Sequence, residues 1–336
     1  MPKIPPRYKL IHGDCIEHMP TMKENSIDFS VFSPPFPLLF AYNPSLRDLG
    51  NSENLVNGEA KLHFSFFFNQ LVRVIKPGRI AIVHCMNIPY LKRTGKEGIF
   101  DFRGLLIRIA QRAGFIYEYD WAITKNPQSQ AIRTHTHQLQ FSSLEKDQSR
   151  VRGALSDYLI KLKKPGENKV PVKNDGTVSR DDWISWAEGT WDWKTIKETA
   201  TLNTKEAKSE EDTRHICPMQ LQVIDRLVKL YTNPRDLVFS PFAGIGSEGY
   251  VSLGLKRRFY GVELKSEYFE KMKQNLDKLK NQEYTIDRHK ACLTDGIETK
   301  AKPKKKRPTE TDGRKVPKKK NVKKKAKKLS SRQLST

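Results

Sequence analysis

Cysteine is scarce and scattered in this chain: Cys15, Cys85, Cys217 and Cys292 are its four, in 336 residues. They form no CxxC pair and no Cys/His cluster, so neither a disulfide framework nor a zinc site is indicated, and a reducing compartment fits. Long apolar runs are missing too. No stretch approaches the roughly 18 apolar residues of a membrane span. Met1 to Leu10 holds prolines and charges where a signal peptide needs an apolar core. The reading is a soluble intracellular protein with no membrane partner. Acidic residues are in short supply: 38 Asp and Glu stand against 61 Lys and Arg, a net charge of +23. Such an imbalance favours a polyanionic partner, nucleic acid first. Residues 299 to 336 hold 17 of the cations and two acids, Glu310 and Asp312, which leaves +8 on the preceding 298 residues.

What is present is an alternation of strand and helix patterns. Tyr8 to Ile11 and Ile27 to Phe32 read as strands, with a short helical stretch after Gly13-Asp14-Cys15. Pro37 to Gly58 reads as a loop. Leu62 to Ile75 has helical spacing until Pro77-Gly78, and Ile80 to His84 is a strand. A helix over Phe102 to Ala113 leads into the apolar segment Phe115 to Ile123. After an irregular polar stretch, a helix (Pro218 to Leu230), a strand (Asp236 to Phe239), a glycine loop, a strand (Arg258 to Val262) and a helix (Ser266 to Leu279) follow. The expectation is an α/β sheet with helices on both faces. From about Glu298 the text is Lys, Pro, Thr and Ser, too poor in apolar residues to offset ordering entropy, and reads as a disordered tail.

Two segments carry chemistry. Ser240-Pro-Phe242-Ala243-Gly244-Ile-Gly246-Ser247-Glu-Gly249 follows an apolar strand and opens a helix, a G-x-G-x-x-G turn over which backbone can approach a ligand closely. Nineteen residues after Gly244, Glu263 ends the next strand, placed to accept from both hydroxyls of a ribose. No Lys-Ser/Thr follows the glycines, so this is no P-loop. A dinucleotide and S-adenosyl-L-methionine both fit such a loop. The second segment is Ser33-Pro34-Pro35-Phe36. An exocyclic amine on a nucleobase has its lone pair delocalised into the ring. Methylating it calls for acceptors that hold its N–H groups. The Ser33 hydroxyl and Pro34 carbonyl can be those acceptors, and Phe36 offers a face to a flipped base.

Together, Ser33 to Phe36, Phe242 to Gly246 and Glu263 resemble the DNA methyltransferases that modify exocyclic amino groups. The catalytic tetrapeptide precedes the cofactor loop by about two hundred residues, as in the permuted β group of that family. Phe32 to Phe36, His215 to Pro218 and Phe239 to Gly249 resemble a phage and prophage branch. The resemblance implies a Rossmann-like S-adenosylmethionine-dependent methyltransferase fold. It implies a catalytic half at 1–124, a target-recognition region at 125–214 and a cofactor half at 215–285, with the Lys-rich tail at 286–336 outside it.

By the same resemblance, Asp14 and Cys15 belong to the segment that holds the cofactor's adenine, and Pro218, within His215 to Gln220, to one that closes over its methionine end. Phe242, Ala243, Gly244, Gly246, Ser247, Glu263 and Leu264 complete the cofactor site. The implied partners are double-stranded DNA and a cognate restriction endonuclease, in a cytoplasm or nucleoid, or in the nucleus if the host is eukaryotic. Ser at the first position is similar to the version more often found in cytosine-N4 enzymes, with adenine N6 as the alternative. A nicotinamide-dependent oxidoreductase would leave the Ser-Pro-Pro-Phe segment unexplained, and a non-catalytic DNA-binding protein would not need its competent motif residues.

No metal is required. Lys92, Arg93, Lys96, Lys125, Arg133, Arg150 and Arg152 are candidate phosphate or base contacts. His135 and His137 alternate as in a strand. The cluster Trp183, Trp186, Trp191 and Trp193 is expected to anchor the inserted region to the catalytic layer.

Overall fold

A computed structural model describes residues 7–37, 59–90, 97–134, 136–203, 218–279 and 284–286. They fall within the first of two units, Met1–Gly296; the second, Ile297–Thr336, lies outside the described residues, as do residues 38–58, which the sequence reads as a loop.

In chain order the elements begin with β1 (Tyr8–His12), α1 (Cys15–His18), β2 (Ile27–Phe32) and α2 (Glu59–Val74). Next come β3 (Ile75–Met86), β4 (Ile88–Pro89), β5 (Ile99–Phe100), α3 (Phe102–Arg112) and β6 (Ile116–Ile123). Then follow α4 (Pro127–Thr134), α5 (Phe141–Lys146), β7 (Asp157–Lys163), α6 (Arg180–Trp186) and β8 (Thr190–Trp191). The last of the described elements are α7 (Leu221–Tyr231), β9 (Leu237–Ser240), α8 (Ser247–Gly254), β10 (Arg258–Glu263) and α9 (Ser266–Lys278).

Eight strands form one sheet in the order β1-β10-β9-β2-β3-β7-β6-β8, and β4 pairs separately with β5. From β1 to β3 all neighbours are parallel; β7 runs antiparallel to β3 and β6. Every residue of β2 is buried, as expected of a central parallel strand covered on both faces. Its side chains divide between two cores. Ile27 and Phe32 join the residues of α2 and α3, while Phe29 and Val31 join those of α7, α8 and α9. The expected sheet with helices on both faces is what the chain forms.

Two local readings change. The Pro77-Gly78 break does not separate helix from strand. β3 starts at Ile75 and carries the pair through as a bulge, the register against β2 stepping from Ile27↔Ile75 to Phe29↔Ile80. Gly78 sits at φ +69 with its position against the Asn168 backbone, where a Cβ would come within 2.4 Å of that amide nitrogen. More importantly, the stretch from 125 to 214 is not irregular throughout. Asp157–Lys163 is a strand inside the sheet, held between β3 and β6. Its charges hid it: Lys161 and Lys163 both pair with Glu118, while Leu159, Ile160 and Leu162 are buried.

The tryptophan cluster divides. Trp186 and Trp191 are buried in the second core, and the indole N–H groups of Trp121 and Trp191 both donate to the Trp186 carbonyl at 3.1 Å. Arg226 of α7 lies over both rings. Trp183 stays exposed. Burying the two indoles is worth several kcal/mol, at about 25 cal/mol per Å² of apolar area.

Candidate active site

Strand polarity gathers the sequence motifs at one edge. β2 and β9 are adjacent and parallel, with Ser30 opposite Phe239 and the Ser30 hydroxyl donating to the Phe239 carbonyl at 2.9 Å. The Ser33-Pro-Pro-Phe turn and the glycine loop leave the carboxyl ends of these two neighbours. Phe242 in the loop packs on Phe32, the residue before Ser33, with ring centroids 5.8 Å apart. β10 brings Glu263 to the same edge. β1 ends beside it, Gly13 N–H donating to the Glu263 carbonyl at 2.9 Å, and so delivers Asp14 and Cys15. The crossover from β9 goes to one side and that from β2 to the other, so the two loops flank the point where the winding reverses, the usual place for a ligand in such sheets.

The glycine loop is shaped by backbone constraints. Gly244 and Gly246 have φ of +52 and +87, and Gly246 is the residue before α8. A Cβ on Gly246 would meet Met272 at 2.8 Å, whereas one on Gly244 would project into open space, where a ligand can lie against bare backbone. Glu263 is tied to this loop: one carboxylate oxygen accepts from Gly244 N–H at 2.7 Å, the other from Lys265 N–H at 2.9 Å. A carboxylate offers about four acceptor positions, so ribose hydroxyls fit alongside these bonds.

Among the described residues, four buried side-chain atoms make no aligned hydrogen bond: Ser240 Oγ, Ser247 Oγ, Gln220 Oε1 and His84 Nε2. Buried polar atoms are almost always paired, so such a set marks a place built for something else. Ser240 and Ser247 bracket the glycine loop, and Gln220 precedes α7, which packs on α8. A carboxylate and an ammonium, the amino-acid end of S-adenosylmethionine, would match these unspent groups.

Pro218 is partly buried two residues before Gln220, and His215 to Cys217 lie outside the described residues. Asp14 caps α1, accepting from Ile16 N–H at 2.8 Å. Cys15 is buried in the first core, which pushes its thiol well above the usual range and leaves backbone as its means of touching a ligand. Ala243 is held by its N–H donating to the Val262 carbonyl at 2.9 Å, and the Leu264 carbonyl lies 3.2 Å from His12 Nε2.

In the catalytic tetrapeptide Pro34 is buried, and Ser33, Pro35 and Phe36 are partly exposed. Phe36 packs on Phe102 at 5.9 Å, which fixes the ring while leaving part of it accessible. Ser33 Oγ lies 3.3 Å from Nδ1 of His84, near the end of the next strand, β3. The other ring nitrogen of His84 is 3.1 Å from Asp157 Oδ2 at the start of β7, close enough for an ion pair though off the line of an aligned bond. The Lys125 ammonium pairs with that same oxygen. Burial pushes the Asp157 carboxyl up, but Lys125 and then His84 outweigh it and hold its pKa at about 2.

Sequence reasoning missed His84 and Asp157, since each stands at a strand end with no local motif. Lys125, read as a candidate phosphate or base contact, has its ammonium paired with Asp157. Arg150 is exposed and Arg152 partly so, donating to the Gly153 carbonyl. Lys92, Arg93, Lys96, the Arg133 side chain and His135 lie outside the described residues. His137 begins a short helical turn, not a strand. Among the described residues no group of three or more His, Cys, Asp or Glu is placed to hold a metal ion, and no helix is long and apolar enough to cross a membrane.

The fold and the two loops at its edge are those of S-adenosylmethionine-dependent amino-methyltransferases. A profile of the N6/N4 DNA methylase family matches residues 27–274, and the chain belongs to that family. Its curated relatives include the Type II methyltransferase M.BglII of Bacillus subtilis, 24% identical, with 77% of this chain and 66% of the relative covered. M.BamHI of Bacillus amyloliquefaciens is 23% identical over 76% of this chain and 54% of its own length. The chain thus spans about two thirds of the one and about half of the other. Among solved structures, the cytosine-N4-specific PvuII DNA methyltransferase shares the fold, with a TM-score of 0.57 at 20% identity, covering 85% of this chain and 92% of that one. A Thermus thermophilus protein assigned as a DNA modification methylase, complexed with S-adenosyl-L-methionine, gives 0.59 at 18% identity, covering 81% and 93%.

Proposed function

We propose that this protein transfers a methyl group from S-adenosylmethionine to the exocyclic amine of a base flipped out of double-stranded DNA, the N4 amine of cytosine. The observation that carries the reading is the pairing of β2 with β9, which sets the Ser33-Pro-Pro-Phe turn beside the glycine loop. When bound, S-adenosylmethionine supplies a methyl carbon activated by a cationic sulfur. The chain's own residues do the rest. Glu263 and the backbone at Gly244 hold the nucleoside part, with Asp14 beside them. Ser240, Ser247 and Gln220 hold the amino-acid end, over which Pro218 lies.

Ser33 and the Pro34 carbonyl accept the amine's N–H groups, which draws the nitrogen lone pair out of conjugation and aims it at the methyl carbon. Phe36, fixed by Phe102, stacks on the base and helps offset the few kcal/mol that extrusion costs. Ser33 in the first position favours cytosine N4, because it resembles the cytosine-N4 version of the tetrapeptide. Likeness to the Type II relatives supports a role in restriction-modification, and we take a cognate endonuclease as its partner.

Incubation with labelled S-adenosylmethionine and unmethylated duplex DNA, then digestion and nucleoside mass spectrometry, tests the reading. N4-methylcytosine is the expected product. N6-methyladenine would keep the mechanism and move the base. Cofactor binding with no label in DNA would overturn the activity.

A further inference from the structure

An exocyclic amine that gains a methyl group and ends neutral must lose a proton, and Ser33 cannot keep one. We propose that His84 receives that proton through the Ser33 hydroxyl, oriented by Asp157, so that the site contains a Ser33–His84–Asp157 relay. The inference rests on the methyltransferase reading above. Its geometry is that of the contacts already given: Nδ1 lies 3.3 Å from Ser33 Oγ, and Nε2 lies 3.1 Å from Asp157 Oδ2, an ion-pair contact off the line of an aligned bond. His84 and Asp157 are both buried, so solvent does not compete for the contact between them.

Asp157 is an ionised acceptor, which selects the tautomer with the proton on Nε2 and leaves Nδ1 with a lone pair toward Ser33. In the step itself the amine nitrogen forms its bond to the methyl carbon as the carbon–sulfur bond breaks and that electron pair stays on sulfur. The nitrogen's proton passes to Ser33 Oγ while the Ser33 hydroxyl proton passes to His84 Nδ1. The product amine is neutral, and His84 is left as an imidazolium beside Asp157. His84 reaches the base only through Ser33 and is therefore a positioning residue that also stores the proton.

Lys125 gives the relay its way back. Its ammonium pairs with the same Asp157 oxygen, so the carboxylate's charge is shared and the imidazolium is not held too strongly to release its proton afterwards. Among the described residues, Asp157 on β7 is the charged group in contact with this ring, and Lys125 after β6 pairs with Asp157. Arg103 of α3 is taken up by Asp120.

The experiment combines nuclear magnetic resonance of isotope-labelled histidine in the wild-type protein with single-turnover methylation by wild type, His84→Asn and Asp157→Asn. The resonances of His84, assigned by their loss in His84→Asn, should report a proton on Nε2 and none on Nδ1. An asparagine amide can still partner Ser33 but cannot take a proton. His84→Asn should therefore slow methyl transfer about 100- to 1,000-fold with cofactor and DNA affinities unchanged. Asp157→Asn should slow it less and permit the other tautomer.

A proton on Nδ1 in the wild type would overturn the relay, and that result does not depend on any variant folding. So would His84→Asn transferring methyl at the wild-type rate, and in that case the methyltransferase reading would stand. A wild-type protein that binds cofactor and DNA yet methylates no base would sink both together.

Discussion

Glu248 shows how a single buried group ties stability to pH. It stands in the first turn of α8 and is 5% exposed. Burial first, with Glu263 adding to it, raises its carboxyl pKa to about 8. The folded protein therefore keeps the proton that the unfolded chain gives up near pH 4.5. This group's contribution is fully present below that value and is lost as pH rises toward 8, a change on the order of several kcal/mol. Urea unfolding of wild type and Glu248→Gln at pH 5 and pH 8 should show the decline in the first and its absence in the second. At the same scale, the roles of the loops separate: Pro35→Ala or Phe36→Ala should lower transfer far more than cofactor binding. Glu263→Ala should weaken cofactor binding first, losing its bond to Gly244 as well as the ribose contact proposed for it. Titration calorimetry set beside single-turnover rates distinguishes the two patterns, and equal loss of both quantities in all three variants would contradict the assignment.

Between elements, the end of the sheet away from the site is fastened by charge. Arg79 on β3 is 3% exposed, and its guanidinium reaches the Asp28 carbonyl at 2.8 Å, the Asp28 carboxylate at 3.5 Å, and Asp236 just before β9. Asp28 in turn accepts from Leu237 N–H at 2.9 Å and pairs with Lys76. The network spans β3, β2 and β9, the three strands whose opposite ends carry the relay, the tetrapeptide and the glycine loop. Arg79→Met should cost about 3–5 kcal/mol, because it leaves buried carboxylate charge uncompensated. Chemical denaturation measures the loss. A cost under about 1 kcal/mol would mean that Lys76 alone neutralises the pair.

For the whole molecule, charge is distributed for a polyanion. Residues 299–336 carry +15 of the +23. Removing them should lower affinity for non-cognate duplex and flatten the dependence of log affinity on log salt, since every phosphate left without its lysine keeps its counterion. Filter binding across a salt series reads both quantities, and an unchanged slope would assign the tail to solubility instead.

Much of this protein was legible before folding. Helix and strand alternation, the strand before each motif, the G-x-G-x-x-G turn and the spacing to Glu263 are local properties, written in residues near one another, and the family match agrees with the class they implied. What escaped was whatever depends on pairing across the sheet. β7 was hidden because its lysines find Glu118 only on the neighbouring strand. Lys125 looked like a free cation because its partner Asp157 is 32 residues away. The relay of His84 and Asp157 has no signature at all, for two strand ends become neighbours only when β3 pairs with β7. The sequence by itself determined the elements and the chemistry of the two loops, because turns and periodicity are set by short-range sterics and burial. The tertiary structure alone decided which side chains meet at Ser33, because strand order brings together residues that chain distance keeps apart.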